Sequence, residues 1–389
     1  MHSDSHTQKT LKWVHSSNLL LVLLTGIPLF ISSTFLSSFT SDRNVSLIFS
    51  LASIASILGL YFTIKILPIL GNYRTTLGLL LSGAIALGVL SLSSNPTLIV
   101  SAYILYFVVS TLLFFNIDIF LESYSKNSTT GEIRGFTYAL ASIAWMASPL
   151  IAGFILGDGE AYWMVYTLGF AFCILFGITI ALMLKDFKDP PYHKISLIGD
   201  LMNTLKNKDE RNIFISAFIL KLFFAWMVIY TPIYLHEYIG FTFQEMGIIF
   251  TLMMIPYILL EWPIGIIEDR WYGEKELLML SFFILAVSTA LLSFLSAPHI
   301  LLWTSALILT RTGAAIAEVS TESYFFKKIS SSDTDDISFW RMLTPMGYLF
   351  APIIGFIFLS FLDMRYLFVG IGILMLFGIL SASRIKDTR

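Results

Sequence analysis

Five charged side chains lie within long apolar stretches of the sequence, away from their ends: Asp118, Lys221, Glu261, Arg311 and Glu318. A charge at the centre of a membrane-spanning helix costs about 2.5–3.5 kcal/mol on insertion scales, so it usually faces a partner or a water-filled cavity. A cation in such a place can bind an anionic group, and a carboxylate there can carry a proton. We therefore treat Lys221 and Arg311 as candidate substrate-binding residues, and Glu318 and Asp118 as candidate proton-coupling residues.

Depth and spacing separate these candidates. Lys221 lies nine residues inside its apolar stretch, about 14 Å at 1.5 Å per residue, and Arg311 lies twelve residues inside its own, about 18 Å. At this depth, extension of the Lys221 ammonium to the membrane surface is disfavoured. Arg311, Glu318 and Glu322 are spaced by seven and four residues, so they share one helix face. Because only Glu318 shares a face with a deep cation, we prefer it to Asp118 as the proton carrier.

Structural pairings compete with these roles. Asp118 and Glu318 lie nearer the ends of their helices, where each carboxylate can pair with an arginine. The arginines in reach are Arg134 and Arg341. Arg311 can instead pair with Glu318 in its own helix, although seven residues is a long reach. The sequence leaves these alternatives open.

Aromatic and hydroxyl side chains recur at helical spacing in two other apolar stretches. Packing and substrate contact explain such faces equally well, and contact would make Tyr138, Trp145 and Tyr348 part of the binding site. The two faces are Tyr138, Ser142, Trp145 and Pro149, and Thr344, Tyr348 and Pro352.

The composition shows what kind of protein holds these residues. Of its 389 residues, 56% are hydrophobic and 13% are charged, and the formal net charge is −2. Soluble chains carry about 25% charged residues, so this chain has too little polar surface for a soluble enzyme, a nucleic-acid binder or a disordered scaffold. The single cysteine, Cys173, excludes an internal disulfide and a cysteine-built metal site. We predict neither a cofactor nor a metal.

Twelve apolar stretches reach the length of about 20 residues that a bilayer-spanning helix needs. They do not alternate apolar and polar residues as barrel strands do. The predicted fold is therefore an all-α integral membrane protein with twelve transmembrane helices. In order, the stretches are 15–38, 44–69, 75–94, 97–122, 134–157, 161–185, 212–236, 243–267, 276–296, 299–325, 340–361 and 365–383.

Lysine and arginine in the loops indicate the orientation of the chain. With the N-terminus inside, 20 of the 24 Lys and Arg residues lie on the cytoplasmic side, and only Arg43 and Arg365 lie outside. Both termini are therefore predicted to be cytoplasmic, with an uncleaved first helix. Since only one weak sequon, at Asn44, would suggest a glycosylating host, we predict the inner (plasma) membrane of a bacterium.

Two halves with matching residues are predicted. Four matches share nearly one offset, which favours duplication of a six-helix unit and hence two six-helix bundles, the repeat typical of secondary transporters. The matches are Asp118 with Glu318, Glu122 with Glu322, Gly71 with Gly273, and Pro149 with Pro352. The predicted segments are a tail at 1–14, a first bundle at 15–186, a cytoplasmic loop at 187–211 with a short interfacial helix, and a second bundle at 212–389 with a short tail.

The segment from Gly265 to Lys275 resembles the G-x-x-x-D-R-x-G signature, followed by two basic residues, of the major facilitator superfamily. It has one extra residue before Gly273, and Glu274 replaces a basic residue. The resemblance implies a cytoplasmic latch that holds one conformation, although simple membrane anchoring is the alternative. The latch would comprise Asp269, Arg270, Gly273 and Lys275, with Glu122, Glu322, Arg134 and Arg341 at helix ends.

Two further motifs are degenerate. The first-half copy of the signature is reduced to residues 70–74, without an Asp-Arg pair. In the fifth stretch, Pro149 and Gly153 are the only matches to the antiporter signature G-P-x-x-G-G. Proline removes a backbone hydrogen bond and glycine allows close helix approach, so a packing kink is an equal alternative to an antiport role.

Together these patterns predict a secondary active transporter working by alternating access, with a small-molecule substrate, a proton or other coupling ion, the lipid bilayer as surroundings and a monomeric state. No phosphate-binding loop occurs, and neither an H-E-x-x-H helix nor a G-x-S-x-G elbow supports the rival, an intramembrane enzyme. The fifth-stretch motif favours proton-coupled export of an amphipathic compound. Lys221 and Arg311 favour an anionic solute or an acidic-headed, lipid-like molecule instead.

Overall fold

The computed structural model describes residues 2–124, 130–190, 208–270, 272–328 and 334–386. Every regular element in these ranges is a helix. Long runs of apolar residues favour helices in a membrane because a helix satisfies its backbone hydrogen bonds internally. The predicted all-α class is therefore confirmed.

The described residues of the first part of the chain form six helices, α1 to α6. Helix α1 ends after Pro28, and Ile31 N–H donates to the Pro28 carbonyl before the next helix starts. The helices are α1 (His2–Leu29), α2 (Ser32–Ser37), α3 (Asp42–Leu92), α4 (Pro96–Tyr124), α5 (Thr130–Leu156) and α6 (Tyr162–Met183).

The second part begins at Lys208 and is also helical throughout its regular elements. A π-helical turn, Tyr234–Ile239, continues α7, and a 3₁₀ turn, Met364–Tyr366, precedes the last helix. The helices are α7 (Lys208–Ile233), α8 (Phe243–Leu252), α9 (Ile255–Arg270), α10 (Glu274–Leu292), α11 (Ile300–Lys328), α12 (Thr334–Phe358) and α13 (Leu367–Ala382).

Eight helical segments of the described residues are long and apolar enough to cross a membrane. One of them is α3, whose 51 residues would extend about 76 Å, more than twice the roughly 30 Å hydrocarbon core, so it carries the second and third predicted spans. Two shorter apolar helices are Leu140–Leu156 and Met342–Phe358. Twelve transmembrane helices in two six-helix bundles therefore stay a prediction.

The first boundary of the predicted segments falls inside a helix of the structure. Residues 2–14, predicted as a polar tail, are part of α1. They contain no glycine or proline, so nothing in the backbone stops the helix there although the composition is polar. The interfacial helix predicted within the loop at 187–211 falls on residues 191–207, which lie outside the described residues.

The chain divides into two units. Unit 1 comprises residues 1–41, 51–193 and 242–247, and unit 2 comprises residues 42–50, 194–241 and 248–389. In unit 1, α1 packs against α4, α5 and α6. In unit 2, α10 packs between α11 and α13, and α7 packs against α11, α12 and α13.

The start of α3 belongs to unit 2, although residues 42–50 fall in the first predicted bundle. Ser46 Oγ lies 2.7 Å from Tyr230 OH, a hydrogen bond between two buried hydroxyls. Tyr238 OH donates to Asp42 Oδ2 at 3.0 Å. These polar contacts explain why the first turns of α3 group with α7 and its π-helical extension.

The turn in the middle of α3 depends on a carboxylate from far along the chain. Gly71 has φ = 76° and ψ = 162°, a conformation that residues with a Cβ rarely adopt. Asn72 N–H donates to Asp189 Oδ1 at 2.7 Å, and a Cβ on Gly71 would collide with Asp189 Oδ2. Asp189 thus supplies a negative charge at the start of the second half of α3, where the helix dipole favours it.

Candidate functional site

Two oppositely charged side chains of unit 2 meet within helices of membrane-spanning length. Lys221 of α7 and Glu318 of α11 form an ion pair, with Nζ 2.9 Å from Oε1. Their side chains keep 20% and 29% of their surface exposed. This is a charge-assisted hydrogen bond that links two helices through side chains 97 residues apart in sequence.

Close packing of α7 on α12 fixes the position of Lys221. A Cβ on Gly347 would lie 2.7 Å from the Lys221 carbonyl oxygen, so the two backbones touch at this point and no larger residue fits without a shift. The Lys221 ammonium also lies 5.3 Å from the centre of the Phe224 ring, within the range of a cation–π interaction. The ammonium is therefore held between a carboxylate and an aromatic ring.

Arg311 lies on the same helix as Glu318 and is only 3% exposed. Its Nε and Nη1 have no hydrogen-bond partner among the described residues. Its guanidinium carbon lies 5.4 Å from the centre of the Phe223 ring, and it interacts electrostatically with Tyr257, Tyr348 and Glu318. Unit 2 thus contains a buried guanidinium with free donors beside aromatic side chains.

The pairing differs from one of the sequence alternatives. Arg311 and Glu318 share α11, but the carboxylate of Glu318 bonds to Lys221 rather than to Arg311. Helical spacing predicts that Arg311 and Glu318 share one face of α11. The partner of Glu318 depends instead on α7, which packs against α11. Glu322 is exposed, and it interacts electrostatically with Lys221 from one turn further along α11.

The remaining predicted substrate and proton residues lie mostly in unit 1. Asp118 is half-buried in α4 and has interactions of its own. Trp145 is half-buried in α5, next to Gly26 of α1. Tyr138 is in α5, but its side chain lies outside the described residues. In unit 2, Tyr348 is half-buried in α12.

The helix-five motif lies at a close contact between α5 and α8 within unit 1. A Cβ on Gly153 would lie 2.5 Å from the Phe243 carbonyl oxygen, and one on Gly247 would lie 2.7 Å from the Pro149 carbonyl oxygen. Gln244 N–H also donates to the Gly157 carbonyl at 3.3 Å. The backbones of the two helices therefore approach directly.

Most of the predicted latch cannot be placed. The structure does not describe the side chains of five latch residues: Asp269, Arg270, Glu122, Arg134 and Arg341. The same holds for the side chain of Glu261, which is not part of the latch. Gly273 is buried and precedes the first residue of α10, and Lys275 is half-buried with interactions of its own. The role of the latch therefore stays a prediction.

A charged cluster beside this signature was missed by sequence reasoning. Lys327 Nζ lies 2.9 Å from Glu274 Oε1 and 3.6 Å from Glu268 Oε1. Both glutamates are only 1% exposed. The sequence feature that could have indicated this cluster is Glu274, which stands where the family signature has a basic residue. In the structure the carboxylate of Glu274 pairs with Lys327 of α11.

Buried polar residues also occur at the first helix. His15 is 8% exposed, and its Nδ1 lies 2.8 Å from Thr137 Oγ1 of α5. Sequence analysis assigned His15 no role. Among the described residues, no group of three or more His, Cys, Asp or Glu side chains could hold a metal ion.

Comparison with known proteins gives a family match over part of the chain and similar solved structures. Residues 213–388 match the Major Facilitator Superfamily. The structure is similar to that of the nucleoside transporter NupG, with a TM-score of 0.77 and 16% identity over 97% of this chain and 100% of that chain. It is also similar to PepTSo, a transporter of the POT family, with a TM-score of 0.77 and 9% identity over 96% of each chain.

A third similar structure is a bacterial homologue of the human lysosomal transporter Spinster, with a TM-score of 0.72 and 9% identity over 97% of this chain and 93% of that chain. Comparison with curated proteins gives no match. The match over residues 213–388 and the fold shared with these transporters support the family resemblance found in the sequence. The eight long apolar helices of the described residues support a multi-pass membrane protein, and the three similar structures are those of transporters rather than enzymes.

Proposed function

We propose that this protein is a secondary transporter of the Major Facilitator Superfamily, driven by protons, that moves an amphipathic small molecule out of the cell by alternating access. The observation that carries the proposal is the Lys221–Glu318 ion pair between α7 and α11. An ion pair whose carboxylate can accept a proton is able to link proton binding to the arrangement of two helices. Glu318 is the proton carrier, and Asp118, at the repeat-related position, has a lesser role.

The energetics of the pair support this role. An ion pair in a poorly hydrated place attracts more strongly than one in water, and removal of one charge leaves the other without compensation. Protonation of Glu318 cancels its attraction for the Lys221 ammonium. The contact between α7 and α11 then weakens, and release of the proton restores it.

Outward transport of an amphipathic compound is supported by two other observations. An aromatic ring lies beside each of the two cations, with Phe223 beside Arg311 and Phe224 beside Lys221. Pro149 and Gly153 match part of an antiporter signature, and Gly153 lies at a direct backbone contact. Lys221, Arg311 and Tyr348 are the proposed substrate contacts in unit 2, and Tyr138 and Trp145 those in unit 1.

The first test is the replacement of Glu318 by glutamine. Glu318→Gln keeps the size and hydrogen-bonding capacity of the side chain but cannot exchange a proton. We expect loss of proton-gradient-driven accumulation, by at least about tenfold, with substrate counterflow retained. The measurement compares both fluxes in vesicles, for a compound whose transport by the unaltered protein has been established.

Asp118→Asn serves as the matched control, because it makes the same chemical change at the repeat-related position. It should reduce driven accumulation less than Glu318→Gln does. Full accumulation by Glu318→Gln would refute the assignment of the proton carrier.

The proposed topology has both termini in the cytoplasm of a bacterial cell and the loop at 187–211 on the same side. In a background with Cys173→Ala, single cysteines at Ser41, Gly159 and Ser296 should react with an impermeant thiol reagent in intact cells. A cysteine at Ser196 should react only after the cells are opened. Labelling at Ser196 in intact cells contradicts the proposed orientation.

A further inference from the structure

The strongest unexplained feature of unit 2 is the guanidinium of Arg311. It is 3% exposed, and its Nε and Nη1 have no hydrogen-bond partner in the described part of the chain. A buried charge without a partner costs several kcal/mol, which is why buried charges in proteins are normally paired. We propose that Arg311 binds the anionic group of the transported compound, and that this compound is an organic monoanion with an apolar body. This inference rests on the proposed function.

The charges around Arg311 set the charge of the ligand. The nearby cation Lys221 is already paired with Glu318. Among the described side chains, no carboxylate forms an ion pair with Arg311. Glu322, which also acts on Lys221, is exposed to solvent. The buried charge left over is that of Arg311, so a single negative charge on the ligand balances it.

The chemistry of the guanidinium sets the kind of anion. Its planar array of donors fits the oxygens of a carboxylate, sulfonate or phosphodiester better than a spherical halide. The guanidinium carbon lies 5.4 Å from the centre of the Phe223 ring, within the range of a cation–π contact, and Nε and Nη1 have no hydrogen-bond partner among the described residues. Tyr257 and Tyr348 bring hydroxyl groups from α9 and α12 into electrostatic range.

The neighbouring side chains set the nature of the ligand body. Phe223 and Phe224 follow each other on α7 and place aromatic rings next to Arg311 and Lys221. Aromatic walls bind apolar groups through burial of their surface. An anion with an alkyl or aryl body therefore fits better than a small hydrophilic anion. Such a headgroup belongs either to a free organic acid or to an anionic lipid.

The test uses a series of eight-carbon probes that carry different charges on their polar groups. Octanoate is a monoanion, octanamide is neutral, octylamine is a cation and octanedioate is a dianion. Binding to the purified full chain in uncharged detergent is measured by calorimetry without any ion gradient. We expect octanoate to bind about 10- to 150-fold more tightly than octanamide, the range for a charge-assisted hydrogen bond, and more tightly than the other two.

The preference should depend on Arg311. Arg311→Gln should abolish the difference between octanoate and octanamide, and Arg311→Lys, which keeps the charge but not the planar donors, should retain only part of it. Arg211→Gln, at an exposed arginine near the start of α7, is the matched control and should keep the full preference. Glu261→Gln should keep it as well, which would exclude Glu261 as the resident partner of Arg311.

The two sources of the anion are separated by a second arm. Octanoate binding is repeated in nanodiscs of neutral lipid and of neutral lipid with phosphatidylglycerol. Competition by phosphatidylglycerol identifies a lipid headgroup at Arg311, and unchanged binding identifies a free acid.

Failure of this inference is distinguishable from failure of the proposed coupling. Equal binding of octanoate and octanamide to the unaltered protein, or an unchanged preference in Arg311→Gln, overturns the inference even where Glu318→Gln abolishes proton-driven transport. Conversely, full proton-driven transport by Glu318→Gln leaves the Arg311 result standing. The unaltered protein decides the first point even where Arg311→Gln fails to fold.

Discussion

Replacement of Lys221 by methionine is expected to destabilise the protein more than replacement of both members of its ion pair. Lys221→Met leaves the Glu318 carboxylate without a counter-ion, which costs about 3–5 kcal/mol at a fully buried site. Because the two side chains keep 20% and 29% exposure, we expect about 2 kcal/mol. The double variant Lys221→Met with Glu318→Gln has no uncompensated charge, so it should recover most of the loss.

The measurement is the free energy of unfolding in mild detergent for the two single variants, the double variant and the unaltered protein. This double-mutant cycle isolates the interaction between the two side chains. Additive losses, with a coupling below about 0.5 kcal/mol, would show that the pair contributes nothing to stability. The control is Arg211→Met, which removes an exposed cation of the same helix and should have little effect.

Replacement of Gly247 by valine should disrupt the contact between α5 and α8 in unit 1. A Cβ on Gly247 would lie 2.7 Å from the Pro149 carbonyl oxygen and 3.1 Å from the Gly153 Cα, and backbone atoms cannot swing aside as a side chain can. Overpacking typically costs about 1–3 kcal/mol, and valine adds two further methyl groups at a backbone contact. We expect α8 to be displaced from α5, with a drop in the yield of monodisperse protein.

Gly177→Val of α6 is the matched control for this prediction. A Cβ there has no atom within 4 Å, so the same residue change meets open space. Size-exclusion profiles and thermal unfolding of the two variants are compared. Equal behaviour of the two variants would contradict a direct backbone contact between α5 and α8.

The helical fold was predictable because the apolar stretches are long and uninterrupted, and only helices satisfy the backbone in such stretches. Helix ends were less predictable. Residues 2–14 are polar but contain no helix breaker, and α1 begins at His2. The sequence indicates only that Gly71 lies between two predicted spans. Asp189, whose carboxylate accepts a hydrogen bond at this turn, follows the sixth helix, and nothing in its local sequence predicts that contact.

The candidate site was partly predictable. Lys221, Arg311 and Glu318 were found because charges are rare in the middle of apolar stretches. The partner of Glu318 was not determined, since it depends on how α7 and α11 pack, and Gly347 sets the position of α7 against α12. Glu268, Glu274 and Lys327 were missed because charges at the ends of membrane helices are common and carry little information.

The hydrogen bond between Asn72 and Asp189 has a consequence for the order in which unit 1 is made. The two residues are 117 positions apart, so a ribosome adding about 5–20 residues per second reaches Asp189 roughly 6–23 s after Asn72. During that interval the turn at Gly71 exists without its carboxylate. The cap on the second half of α3 therefore waits for a residue that follows α6, and a nascent chain stalled at residue 186 contains the sequence of α1 to α6 with the middle of α3 still uncapped.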